Sequence, residues 1–143
     1  MSKYYHYKYM VRLSIFCIAV GFIYWILGIL FSKLDRFVYH LLTIIVIPSA
    51  IGAVTYYQLN YLNKTTILIS CAIGSIIIRH LIVLFRVLME IGNYDAVVNG
   101  FVAFLYIGPI EMSFSILGLH LSAKITQKLN KKRRGTGGQV GRP

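Results

Sequence analysis

Apolar residues along this chain fall into four long runs, separated by short polar connections. Each run has about 20 residues or more, the length that an α-helix needs to cross the ~30 Å hydrocarbon core of a bilayer. The pattern therefore predicts four transmembrane helices, at about 11–32, 38–59, 65–89 and 96–122. Pro48 and Pro109 fall inside the second and fourth of these helices, where each removes a backbone hydrogen-bond donor.

The polar connections between the runs cover only residues 33–37, 60–64 and 90–95. Loops this short force consecutive helices to lie side by side and antiparallel. We therefore expect an all-α polytopic membrane protein, an up-down four-transmembrane-helix bundle formed by residues 1–123. Residues 124–143 differ in composition, and we expect them to form a basic, glycine-rich cytoplasmic tail.

The overall composition supports a membrane protein and argues against a soluble one. Hydrophobic residues make up 57% of the 143 positions and charged residues 13%. A soluble domain has about 45–50% apolar and about 25% charged residues, so lipid must cover much of this surface. The net charge of +11 lies mostly outside the apolar runs, and no aromatic and basic platform for single strands accompanies it. We therefore expect no nucleic-acid partner.

The distribution of lysine and arginine predicts the orientation. The N-terminal segment, the second connection and the residues from 124 onward hold most of these cations, whereas the first connection holds Lys33 and Arg36 and the third holds none. The positive-inside rule then places both termini in the cytoplasm, in an integral protein of the cell membrane. A polybasic cluster directly follows the last helix and predicts contact with anionic lipids or a partner; it consists of Lys131, Lys132, Arg133 and Arg134.

Ionisable residues inside the apolar runs are the candidate functional residues. A charge at the bilayer centre costs at least ~2.5 kcal/mol on insertion scales, so it normally faces the bundle and has a partner. Helical spacing and depth predict an ion pair between Arg79 and Glu111, and an i,i+4 pair between Arg86 and Glu90. Three interpretations are open: a structural lock between helices, a contact with another subunit, or a site that moves protons or ions.

Other chemistry-bearing residues form no recognisable site. The four histidines are not spaced as metal ligands on one helix, and Cys17 and Cys71 read as small packing residues. The sequence contains no nucleophile elbow, phosphate loop or catalytic triad pattern. We therefore expect no catalytic residue, no cofactor and no metal site, and at most a non-catalytic subunit of a membrane enzyme complex.

Residues 73–83 run from an apolar stretch through Arg79 into further leucine, isoleucine and valine residues. A connection containing Asp95, a last apolar run and a basic segment follow. This order resembles the phosphate-starvation-inducible E (PsiE) family over about the C-terminal half of the chain. The resemblance implies a small four-helix membrane protein, and it supplies no catalytic residue.

These observations lead to one functional hypothesis and one alternative. The first is a non-catalytic accessory or structural subunit of a larger membrane complex, such as a respiratory or monooxygenase-type assembly, in contact with lipid and other membrane subunits. The alternative is a homo-oligomeric channel or transporter that uses Arg79 and Glu111 inside the membrane.

Overall fold

A computed structural model describes residues 3–59, 65–91 and 94–136, with side chains over 10–59, 65–90 and 95–131. These residues form helices and no β-strand. The helices are α1 (Lys3–Phe31), α2 (Arg36–Leu41), a π-helical turn (Leu42–Val46), α3 (Ile47–Leu59), α4 (Thr65–Ile91) and α5 (Tyr94–Thr136). The side chain of Asp35 caps α2 by accepting a hydrogen bond from the backbone N–H of Phe37 at 2.9 Å.

Four stretches of these helices are long and apolar enough to span a membrane, which confirms the prediction of four such helices. We refer to them as spans 1 to 4: Met10–Phe31, Arg36–Leu59, Thr65–Glu90 and Asp95–Lys131. Span 2 is built from α2, the π-helical turn and α3 in succession. The all-helical fold class is therefore as expected.

Helix α5 is longer than the sequence pattern predicted, because it continues to Thr136 instead of ending near residue 122. Its 43 residues make a helix about 65 Å long, twice what the hydrocarbon core requires. Residues 124–134 are mostly good helix formers such as lysine, arginine, leucine and glutamine, with no glycine or proline before Gly135. The described part of the predicted tail is thus a continuation of the helix, while residues 137–143 lie outside the description.

Two apolar clusters fill the space between the spans. Cluster 1 consists of Tyr56, Leu59, Leu68, Cys71, Ala72 and Leu119, with Leu13, Phe16, Cys17, Ile67 and Ala123 packed against it. Cluster 2 consists of Tyr24, Ile47, Ile51 and Ile76, with Val20, Leu27, Phe31 and Met112 packed against it. Along α1 and α4 the residue numbers rise from cluster 1 to cluster 2, and along α3 and α5 they rise from cluster 2 to cluster 1.

Helices α3 and α5 cross in direct backbone contact, and two glycines make this possible. A Cβ atom added to Gly52 would lie 2.8 Å from the backbone N of Leu119 and closer still to the carbonyl oxygen of Ser115. A Cβ added to Gly118 would lie 2.7 Å from the carbonyl carbon of Ser49. Small residues allow helices to approach closely in apolar surroundings, and here they bring the middle of α5 into the bundle.

Candidate functional site

Span 2 contains a backbone carbonyl that its own helix leaves without a donor. In the π-helical turn the backbone N–H of Ile47 bonds to the carbonyl of Leu42, so it is not directed to that of Thr43. The next residue along the chain is Pro48, which has no N–H to offer. The carbonyl of Thr43 must therefore find a donor elsewhere, because an unpaired buried carbonyl is costly.

Tyr24 of α1 supplies that donor. Its hydroxyl donates a buried hydrogen bond to the carbonyl oxygen of Thr43, and its side chain is almost completely buried. The face of the same ring lies against the guanidinium of Arg79, whose central carbon is 4.7 Å from the ring centroid. Tyr24 thus connects span 1 to span 2 through its hydroxyl and to span 3 through its ring.

Arg79 also contacts the carboxylate of Glu111. Its Nη1 atom lies 3.2 Å from Glu111 Oε1, which joins α4 to α5. The Glu111 side chain is 1% exposed and that of Arg79 is 13% exposed. Water therefore screens this ion pair far less than one on a protein surface.

His80, the next residue on α4, contacts the other oxygen of the same carboxylate. Its Nε2 lies 2.8 Å from Glu111 Oε2. The same Nε2 also lies 3.0 Å from Arg79 Nη1. An ionised carboxylate only accepts hydrogen bonds, so His80 donates to Glu111 in the forms of the imidazole that carry a proton on Nε2. The ring packs on Phe104 of α5, with the centroids 4.6 Å apart, and this contact helps to fix its orientation. Both oxygens of Glu111 thus contact a side chain of α4.

These contacts form one polar network with a member from every span. It consists of Tyr24, Thr43, Arg79, His80 and Glu111. Within it, the positive charge of Arg79 balances the negative charge of Glu111. Such an arrangement holds helices in one register and leaves no isolated charge in apolar surroundings.

The second predicted pair is also at contact distance, but in a different environment. Arg86 Nε lies 2.7 Å from Glu90 Oε1, and the two side chains are 45% and 58% exposed. The guanidinium of Arg86 is 6.0 Å from the ring centroid of Trp25 on α1. An exposed i,i+4 pair of this kind contributes little to stability. This pair is therefore distinct from the buried polar network.

Of the predicted polybasic cluster, the structure describes one side chain. Lys131 is exposed near the end of α5. The side chains of Lys132, Arg133 and Arg134 lie outside the described residues. Over the described part of the chain, no group of three or more histidine, cysteine or acidic residues is arranged to hold a metal ion.

Sequence reasoning missed three members of the network, namely His80, Tyr24 and Thr43. For His80 a signal was present, since a carboxylate has two oxygens and His80 adjoins the arginine that Glu111 was expected to contact. For Thr43 the signal was Pro48, five residues further on, which removes a donor. The choice of Tyr24 as donor depends on the packing of α1 and had no local signal.

No protein-family model, no curated protein and no solved structure matches this chain. The resemblance to the PsiE family therefore stays a prediction.

Proposed function

We propose that this chain is a non-catalytic integral membrane protein that acts as an accessory or structural subunit of a larger membrane complex. The observation that supports this proposal is the polar network, in which both oxygens of the buried Glu111 carboxylate are occupied by Arg79 and His80. A carboxylate held in this way ties helices together and is not presented to a substrate. The bundle is then a fixed scaffold that offers its outer surface to neighbours.

The arrangement in the membrane is part of the same proposal. Helices α1 and α4 run from cluster 1 to cluster 2, and α3 and α5 run from cluster 2 to cluster 1. These opposite directions support an up-down bundle. The excess of lysine and arginine before span 1 and after span 4 supports cytoplasmic termini in the cell membrane. Cysteine accessibility tests this orientation: a cysteine at position 33 should react with an impermeant reagent from outside the cell, and one at position 128 should react only after lysis.

Other membrane subunits and lipids are the proposed partners. Span 1 is the least covered of the four, with 17% of its most apolar part buried against 28% in each of the others. Its exposed apolar side chains include Ile15, Ile18 and Phe22. This face of α1 is the surface we propose for a partner subunit, and the basic residues from Lys131 to Arg134 are proposed to contact anionic lipids.

Purification of the tagged full chain from its native membrane in a mild detergent tests the subunit hypothesis. We expect larger membrane proteins to co-purify in fixed stoichiometry, as measured by native electrophoresis and mass spectrometry. A polar substitution at Ile18, which is 55% exposed on α1, should release the partner, whereas the same substitution at Leu105, 56% exposed on α5, should not. Recovery of a homo-oligomer alone would contradict the proposal.

The alternative is a homo-oligomeric channel or transporter, and one observation favours it: a cavity extends from one end of the bundle to Arg79, the partner of Glu111. Proton or ion flux into liposomes that hold the purified chain tests this alternative. Transport through the network requires flux that disappears in Glu111→Gln and persists in Asp35→Asn, because Asp35 is an exposed carboxylate outside both the network and the cavity lining, and asparagine caps α2 as well as aspartate does. If these liposomes show no more flux than empty liposomes, the channel or transporter alternative is contradicted and the structural role is favoured.

A further inference from the structure

A cavity of about 450 Å³ lies between α1, α2 and α4, at the end of the bundle where α1 and α4 terminate. Its polar lining comes from three helices and the residue after α1. It includes Trp25 near the end of α1, Ser32 just after α1, Tyr39 of α2, and Arg79, Arg86 and Glu90 of α4. The volume is in the range of small-molecule sites in proteins, about 300–1,000 Å³. From Glu90 to Arg79 the wall follows α4 for eleven residues, or about 16 Å.

The cavity is rich in hydrogen-bond donors and poor in acceptors. Two guanidinium groups line it, each with five N–H bonds, and Trp25 adds an indole N–H. The carboxylate of Glu90 is the single acidic group of the lining, and its Oε1 already accepts from Arg86 Nε. Each guanidinium has one carboxylate partner, Glu111 for Arg79 and Glu90 for Arg86, but the contact with that carboxylate uses only part of its five N–H groups. The donors left over on these two cations favour an anion over a cation.

Arg79 lies at the inner end of the cavity and does not use all its donors within the protein. Arg79 Nη1 is directed to Glu111, but the Nε–H of the same guanidinium is buried and has no hydrogen-bond partner among the described residues. This Nε–H is closed off from the cavity, but the Arg79 side chain as a whole is 13% exposed and lines it, so the other N–H groups of the guanidinium are the ones that can reach a ligand. The Arg86 guanidinium lies about two turns further along the same wall and supplies further donors.

The wall between the two arginines is apolar. Val83 and Val87 of α4 line it, and Gly28 and Ile29 of α1 line the opposite side. A site with cationic donors and apolar walls near the end of membrane-spanning helices suits a phosphate group attached to an apolar body. A phosphate group also matches the fork of an arginine better than a spherical anion does.

We infer that this cavity binds a phosphate group, that of a phospholipid headgroup or free phosphate, through Arg79 at its inner end and Arg86 on its wall. The inference is independent of the proposed subunit role, since a scaffold and a transporter are equally able to hold such a ligand. It requires only that the guanidinium of Arg86 turn part of its donors from Glu90 to the ligand.

The chain provides its own reporter for this site. Trp25 is its single tryptophan and lines the cavity, so tryptophan fluorescence reports changes in the surroundings of this site. The full chain is purified in a phosphate-free maltoside detergent and titrated with inorganic phosphate, with dioctanoyl phosphatidylglycerol, and with dioctanoylglycerol, which has the same chains and no phosphate. We expect a saturable change with phosphatidylglycerol, with inorganic phosphate or with both, and none with dioctanoylglycerol.

The first two titrations distinguish the sources of the ligand. A response to phosphatidylglycerol alone assigns the site to a lipid headgroup, and a response to inorganic phosphate shows that the free anion is sufficient. An equal response to dioctanoylglycerol, or no response to any of the three, would overturn the inference.

Three variants test the residues. Arg86→Gln should raise the dissociation constant about tenfold or more, because a charge-assisted hydrogen bond to the ligand is lost. Lys128→Gln is the matched control, since it removes the same charge from an exposed position on α5 outside the cavity, and it should bind as the wild type does. Glu90→Gln should tighten binding because it removes the competing carboxylate, a result that a merely destabilised protein would not give. Unchanged binding in both Arg86→Gln and Glu90→Gln would exclude the site.

Discussion

Arg79 Nη1 lies 3.2 Å from Glu111 Oε1, and through this contact the third span holds the fourth at a point that is almost completely buried. Removal of one partner leaves the other as an uncompensated buried charge, which costs about 3–5 kcal/mol. We therefore expect Arg79→Leu and Glu111→Leu each to lower the free energy of unfolding by about that amount, measured in mixed micelles.

The double variant Arg79→Leu/Glu111→Leu leaves no such charge, and it should lose less stability than either single variant. A double-mutant cycle measures this coupling. Losses that simply add would mean that the two residues do not stabilise each other.

His80 provides the second donor to the same carboxylate, with its Nε2 2.8 Å from Glu111 Oε2. His80→Phe keeps the ring that packs on Phe104 but removes the donor, so the unfolding free energy should fall by about 1–3 kcal/mol. His120 is an exposed histidine on α5, and His120→Phe should change stability by less than ~0.5 kcal/mol. Equal losses of unfolding free energy in the two variants would show that the contact of His80 with Glu111 does not stabilise the protein.

Tyr24→Phe tests whether the Thr43 carbonyl depends on a donor from another helix. Loss of the hydroxyl leaves that carbonyl unpaired and should cost about 1–3 kcal/mol. Tyr57 is 62% exposed, and Tyr57→Phe should be nearly neutral. The decisive comparison uses Pro48→Ala, which restores a backbone N–H beside the carbonyl. In that background Tyr24→Phe should cost clearly less, and an unchanged loss would show that the proline does not create the need for Tyr24.

The crossing of α3 and α5 predicts a sharp difference between glycines. Gly52→Ala and Gly118→Ala each place a Cβ against backbone atoms of the other helix, and we expect each to lower stability by about 1–3 kcal/mol or more. A Cβ on Gly28 of α1 would meet nothing within 4 Å, so Gly28→Ala should be neutral or stabilising by up to about 1 kcal/mol. Similar effects at all three positions would contradict the crossing.

The four spans were predictable from sequence because apolar length is a direct consequence of bilayer thickness. The end of α5 was not, since the apolar pattern stops near Ser122 while helix propensity continues beyond Lys124. The apolar pattern depends on what surrounds the helix, whereas the helix itself continues as far as the local residues favour it. The apolar pattern and the helix therefore end at different residues.

The contact of Arg79 with Glu111 was predictable from helical spacing and from the cost of an unpaired charge in apolar surroundings. The partners that complete it depend on features without a period in the sequence. The π-helical turn at Leu42–Val46 shifts the backbone bonding of span 2 by one residue, and the position of Tyr24 depends on the packing of a helix that is distant along the chain. Patterns of residue type therefore locate the buried charge but not every group that neutralises or orients it.

The sequence separation of the central ion pair has a consequence for biosynthesis. Glu111 follows Arg79 by 32 residues, so at 5–20 residues per second it leaves the ribosome about 2–6 seconds later. During that interval span 3 would carry an unmatched guanidinium, which opposes its transfer into lipid on its own. In the membrane arrangement proposed above, spans 3 and 4 are therefore expected to enter the bilayer together as a helical hairpin, with the charge neutralised before either helix meets the hydrocarbon.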